Sequence, residues 1–177
     1  MMSDNPTDKR GVGSLADYAP LIQAADGLTL RQICAVSDLE PTTVQNWIKR
    51  GFVPHPEGKK YHERHLARVL LISKLRESMQ IDKIGELLVY INGDTDDMSD
   101  DVISEEELFD LFIGMTAILD EVMPAPDRAG EIAASITDGY PADDEAKEKL
   151  RKALSVMACA YMAGIYKQKA DSLFAEL

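Results

Sequence analysis

Apolar residues recur three and four positions apart along most of the chain and almost nowhere at every second position. That spacing marks helices rather than sheets, so the expected fold class is mainly all-α. Leu15–Ala25 reads as a short helix stopped by Asp26-Gly27. Leu30, Ile33 and Val36 form a stripe behind Thr29, an N-cap candidate with Gln32 placed to complete a capping box. Ser37–Glu40 reads as a turn. Pro41 stands at the first helical position, where its missing N–H costs nothing, and a helix over Thr42–Arg50 stops at Gly51. Residues 52–61 form an irregular, hairpin-like segment. A long helix over Glu63–Ser78 turns Leu66, Val69, Leu70, Ile72 and Leu75 inward, and another over Ile81–Ile91 ends at Asn92-Gly93.

The pattern then breaks. Asp94–Asp101 (DTDDMSDD) is the sharpest composition shift in the chain, which predicts a solvated acidic linker over residues 94–103. Beyond it, Ser104 with Glu107 marks a second capping box, opening a helix to about Val122 that Pro124 and Pro126 close. Arg128–Thr137 is a shorter helix. Ala142–Ala175 reads as one long final helix with Leu150, Leu154, Met157, Tyr161 and Ile165 inward. The expected organisation is a polar, disordered tail over residues 1–14, a first domain over 15–93, the linker, and a helical dimerisation or effector domain over 104–177.

Charge changes this picture. The whole chain carries −12, which at face value opposes binding to a polyanion. The charge is uneven, however. Met1–Asp94 holds 12 Lys/Arg and 12 Asp/Glu, whereas Thr95–Leu177 holds 7 and 19. Within Gln45–Arg68 the balance is +4, from six cations against Glu57 and Glu63. Screening cuts off charges beyond about 8 Å at physiological salt, so the local patch governs local attraction. Cys34 and Cys159 lie far apart inside helical patterns, which predicts reduced, buried and inert thiols. The longest uncharged run of the final helix, Ala153–Tyr166, has 14 residues, short of the roughly 20 a membrane span needs. A cytoplasmic location without a membrane partner is the expectation.

Two short helices joined by a turn make a helix-turn-helix candidate. On the second, Val44, Trp47 and Ile48 share one face. The opposite stripe is Thr42, Gln45, Asn46 and Lys49, with Thr43 and Arg50 beside it and no acid. Asn and Gln pair bidentately with adenine edges, Thr contacts a base or a thymine methyl, and Lys or Arg contacts phosphate or guanine. Lys59, Lys60 and Tyr61 follow Gly58 in a turn, with Arg64 three residues on, as a basic wing against phosphates would.

The run Leu30–Leu88 resembles the MerR-type winged helix-turn-helix. The likeness rests on Thr43-Val44-Gln45-Asn46-Trp47, Gly51-Phe52-Val53-Pro54, Gly58 and Tyr61, then Leu66, Ile72, Leu75-Arg76 and Ile84. The stretch from Asn46 to Ser78 is similar to a bacterial family known mainly as a domain of unknown function. The likeness implies a DNA-binding regulator. The pattern departs from it at Gln45, Asn46 and Trp47, where MerR-type proteins carry Arg and Tyr, and in a shortened, Lys-rich wing.

Other chemistry is set aside. His55, His62 and His65 lack the partners of a metal site and read as surface histidines at a helix start. The acidic run fails EF-hand spacing. No nucleophile, base and orienting group cluster, so no enzyme and no cofactor is expected. Met157, Tyr161, Met162 and Tyr166 read as core or dimer seam before they read as an effector pocket. The expected function is a DNA-binding transcriptional regulator. It would contact double-stranded DNA through Thr42, Thr43, Gln45, Asn46, Lys49, Arg50, Lys59, Lys60, Tyr61 and Arg64. A homodimer is expected because the last helix is too long to bury in one small monomer, and a small-molecule effector remains open. The alternative is a protein–protein interaction module of the same shape.

Overall fold

A computed structural model describes residues 14–122 and 125–177. The tail expected over 1–14 lies outside the described residues except for Ser14, as does Pro124. Eight α-helices are described: α1 (Ala19–Ala24), α2 (Leu30–Ser37), α3 (Pro41–Lys49), α4 (Glu63–Leu75), α5 (Ile81–Asn92), α6 (Glu105–Val122), α7 (Ala129–Thr137) and α8 (Asp144–Phe174). Short 3₁₀ turns, Leu15–Asp17 and Pro126–Arg128, precede α1 and α7. The described residues contain no strand, only two isolated bridges, Leu28 with Tyr61 and Glu57 with Lys60.

Local chemistry accounts for the helix boundaries. Thr29 caps α2: its Oγ1 accepts from Gln32 N at 3.3 Å while Thr29 N donates to Gln32 Oε1 at 2.8 Å. Asp38, in the left-handed region at φ 55°, ends α2, a conformation that short polar side chains tolerate. Pro41 opens α3 with its φ already helical. Ser104 Oγ accepts from Glu107 N at 3.2 Å at the start of α6.

Helix α4 is the hub. His65 through Ile72 are all buried, together with Leu75, and a helix apolar on most faces must be surrounded. It packs against α2, α5, α6 and α8. One buried cluster therefore runs from Leu15 through Trp47 and Ile72 to Phe112 and Met157. The expected boundary at residues 94–103 falls between helices that share this core.

That acidic segment is folded back rather than extended. The buried Asn92 side chain clasps its far end: Oδ1 accepts from Val102 N and Ile103 N, and Nδ2 donates to Ile103 O at 2.7 Å. Near its start, Thr95 Oγ1 donates to Gly51 O at 2.9 Å, and Asp96 Oδ1 accepts from His55 N at 2.9 Å. Gly93 permits the reversal, with φ at 68° and Asp100 where a Cβ would stand. No described helix is long and apolar enough to cross a membrane.

Candidate nucleic-acid interface

Helix α3 is held by its apolar side. Val44, Trp47 and Ile48 are buried, and the Arg76 guanidinium stands over the Trp47 ring at 5.4 Å, a cation–π contact. Gly51, at φ 75°, ends the helix and turns the chain into Phe52. That ring packs against Gly85 of α5, where any Cβ would stand within 3 Å of it. These contacts fix the helix and so aim its outer face.

The outer face is open. Thr42, Gln45, Asn46 and Lys49 are exposed, and Thr43 is half-buried. Beside them a groove of about 680 Å³ separates α3 from the corner between α4 and α5. Thr42, Asn46 and Arg50 line one wall, Arg76, Met79 and Gln80 the other, and no acid lines it. Arg76 and Gln80 were not among the residues expected from sequence. Their signal is a cation in the last turn of a helix just before the next helix starts, which only the tertiary packing brings to face α3.

Arg50 is less free than the sequence suggests. Its guanidinium pairs with Asp82 at 2.6 Å and lies over the Phe52 ring at 4.6 Å. The pair is exposed, so it competes weakly with other anions.

The segment expected as a basic wing is built differently. Lys60 N donates to Glu57 O at 2.8 Å, with Gly58 and Lys59 both at positive φ, the mark of a type I′ turn. Of the expected wing residues only Lys59 projects from this tip, beside the exposed Glu57. Lys60 Nζ donates to Ala25 O at 2.9 Å and Gly27 O at 3.3 Å, closing off the loop after α1. Tyr61 is 5% exposed and belongs to the core. Its backbone pairs with Leu28 in both directions, at 2.7 and 2.8 Å, and burial pushes its phenol above the ordinary value. Arg64 donates to Thr95 O at 2.9 Å. The structure thus brings Thr42, Thr43, Gln45, Asn46, Lys49 and Arg50 onto one face with Lys59 at a separate tip, and turns Lys60, Tyr61 and Arg64 to internal contacts.

Burial corrects one more expectation. His65 is not a surface histidine. His62 N donates to its Nδ1 at 3.0 Å, so Nε2 must carry the proton that bonds His55 O at 3.1 Å. Both ring nitrogens are thereby engaged in the neutral form, and burial holds the imidazole below its usual pKa. His55 Nδ1 lies 2.9 Å from Asp96, whose carboxyl is held low by the backbone and ring hydrogen bonds of His55.

Of the four residues weighed as an effector pocket, Met157 and Met162 are core, Tyr166 is exposed, and Tyr161 alone lines a cavity, of about 190 Å³. The Tyr161 hydroxyl donates to Asp120 at 2.9 Å, and burial with that carboxylate pushes it up to about 12.

With α3 and its groove located, relatives sharpen the picture. Residues 25–112 match the family described as Domain of unknown function (DUF1836). The match takes in α2 to α5, the folded acidic segment and the first part of α6, so the groove and the Asn92 clasp both lie inside it. Among curated proteins, "Uncharacterized protein YkrK" of Bacillus subtilis (strain 168) is 34% identical over 79 residues. That alignment covers 42% of this chain and 34% of that protein, so the chain spans about a third of the length of the curated relative it matches. No solved structure matches. The expected likeness to a family of unknown function is thus met, while neither match bears on the MerR-type likeness.

Proposed function

We propose that α2 and α3 act as a helix-turn-helix that reads double-stranded DNA, as in a MerR-like transcriptional regulator, with α3 as the recognition helix. The observation that carries this reading is the exposed, acid-free stripe Thr42, Gln45, Asn46 and Lys49 on a helix locked from behind by Val44, Trp47 and Ile48. A rigid helix presenting amides, a hydroxyl and a cation suits the major groove. Arg76 and Lys49 suit the flanking phosphates, and Lys59 takes the part of the wing.

The test is binding of the full chain to mixed-sequence duplexes across a salt series. Three phosphate contacts, by Lys49, Lys59 and Arg76, give a slope of about −3 in log affinity against log salt. Lys49→Glu with Lys59→Glu weakens binding to every duplex. Absence of binding to any duplex at low salt overturns the proposal.

One observation favours a second reading, a protein-interaction module. Arg50, Lys60 and Arg64 are engaged within the fold, which leaves fewer cations for phosphate than the sequence promised. On that reading Gln45 and Asn46 contact a protein, and duplex affinity is absent while the same α3 substitutions abolish capture of that partner.

A further inference from the structure

Between α5 and α6 the chain runs through Asp94–Asp101 without a single buried residue. Thr95 and Asp101 are half-buried, the rest are exposed, and Met98, the one apolar side chain among them, is 61% exposed. Asp94 Oδ1 accepts from Asp96 N, and Asp97 Oδ1 from Ser99 N, both at 2.9 Å. Short polar side chains form such turns without help from a core. The two flanks are fixed separately. Asn92 clasps Val102 and Ile103, and Glu105 pairs with the buried Arg68.

What the middle of this segment touches is the end of α3 and the cations after it. Thr95 Oγ1 donates to Gly51 O, and Thr95 O accepts from Arg64. Asp96 accepts from His55 N, and its other oxygen lies 2.9 Å from His55 Nδ1. Burial raises the Asp101 carboxyl while Arg64 and Arg68 draw it down, so this acid stands beside both cations. Gly51 ends α3, and Lys59 forms the tip. The segment therefore lies along the stretch that joins the two proposed contact points. It carries five carboxylates there, the same sign of charge that a phosphate backbone would bring.

We infer that Asp94–Asp101 is an autoinhibitory strap, which keeps Arg64 and His55 from phosphate in the free chain and lifts when a duplex docks. The inference rests on the reading of α3 as a recognition helix. Its contacts are of the kind a phosphate can replace. The His55 and Asp96 side chains are 67% and 54% exposed, and exposed pairs are weak and screened by salt. A phosphate offers Arg64 and His55 the same acceptors with more charge. Lifting also releases Thr95 from Arg68, but that guanidinium keeps Phe52 O and Glu105. Because the flanks are anchored apart from the middle, the strap moves without opening the core.

Duplex binding and hydrogen exchange of the full chain test it. Thr95→Ala with Asp96→Ala removes the side-chain anchors of the strap and leaves Asn92, Arg68 and Glu105 in place. This variant binds mixed-sequence duplexes about ten-fold tighter than the parent, a gain that misfolding does not produce. Its salt slope is about 1 steeper, because Arg64 joins Lys49, Lys59 and Arg76, and adding Arg64→Ala restores the parent slope. Asp127→Ala, which removes one charge from an exposed site outside the strap, stays within about two-fold of the parent. In the parent, duplex speeds exchange at His55 N, which leaves Asp96, and not at Ile103 N inside the clasp. If the parent binds duplex but the variant binds no tighter, or His55 N exchanges no faster, the strap is overturned and α3 keeps its part. If neither chain binds any duplex, the α3 reading falls and the strap with it.

Discussion

Arg68 and Glu105 form an ion pair sealed inside the fold, their side chains 1% and 7% exposed. Arg68 belongs to the middle of α4 and Glu105 opens α6. The same guanidinium donates from Nε to Phe52 O at 3.0 Å and from Nη2 to Thr95 Oγ1 at 3.3 Å. One side chain thus ties together the segment after α3, the acidic segment and α6. Burial pushes the Glu105 carboxyl up while the adjacent Arg68 pulls it down. Its Oε2 has no hydrogen-bond partner among the described residues.

Removing one member leaves an unpaired buried charge. Glu105→Leu costs about 3–5 kcal/mol in urea unfolding, whereas adding Arg68→Met recovers much of the loss, because a well-packed apolar pair avoids the desolvation of both ions. Recovery stays incomplete, since Phe52 O and Thr95 lose a donor. If Glu105→Leu proves as stable as the parent, the pair does not hold α4 to α6.

Neighbouring lysines at the turn separate structure from binding. Lys59→Ala weakens duplex binding and leaves stability within about 0.5 kcal/mol of the parent, as exposed substitutions do. Lys60→Ala instead lowers stability by about 1 kcal/mol, through loss of its charge-assisted bonds to Ala25 and Gly27. Thermal melts beside a salt titration distinguish the two. A larger binding loss for Lys60→Ala than for Lys59→Ala contradicts the assignment of Lys59 to the tip.

Periodicity found the helices because a 3.6-residue repeat is local. The caps Thr29 and Ser104 were legible for the same reason, and so was the α3 stripe, whose two faces differ in every residue. The contacts of the acidic segment were not legible because Asn92 reads as a helix stop, while its part in binding Val102 and Ile103 is tertiary. Arg68 was counted with the surface cations because its acid lies 37 residues away. Tyr61 was read as a phosphate contact because a tyrosine after two lysines looks the same whether its ring points out or in.

Buried His65 makes stability depend on pH. Its folded pKa lies below the unfolded value of 6.5. The neutral ring therefore contributes stability that is full above about pH 6.5 and is lost as pH falls toward the folded pKa, since only the unfolded state takes up the proton. Denaturant midpoints decline between pH 7 and 5. His65→Gln lowers stability at pH 7 but flattens that decline. A midpoint that rises on acidification through this window, or an unchanged slope in the variant, rules out His65 as its source.

Residues on the two walls of the α3 groove divide affinity from specificity. The side chains of Gln45 and Asn46 make no hydrogen bond among the described residues and are exposed, so their replacement by Ala scarcely affects stability. Against a panel of duplexes selected from a random pool, Gln45→Ala and Asn46→Ala each reduce discrimination at one base position by about 1–3 kcal/mol. Arg76→Ala acts on the opposite wall, where on the proposed reading the guanidinium held over Trp47 meets the sugar-phosphate backbone rather than base edges. It weakens all duplexes alike and makes the salt slope shallower by about 1. If Arg76→Ala alters the ranking of sequences while Asn46→Ala does not, α3 is not the helix that enters the groove.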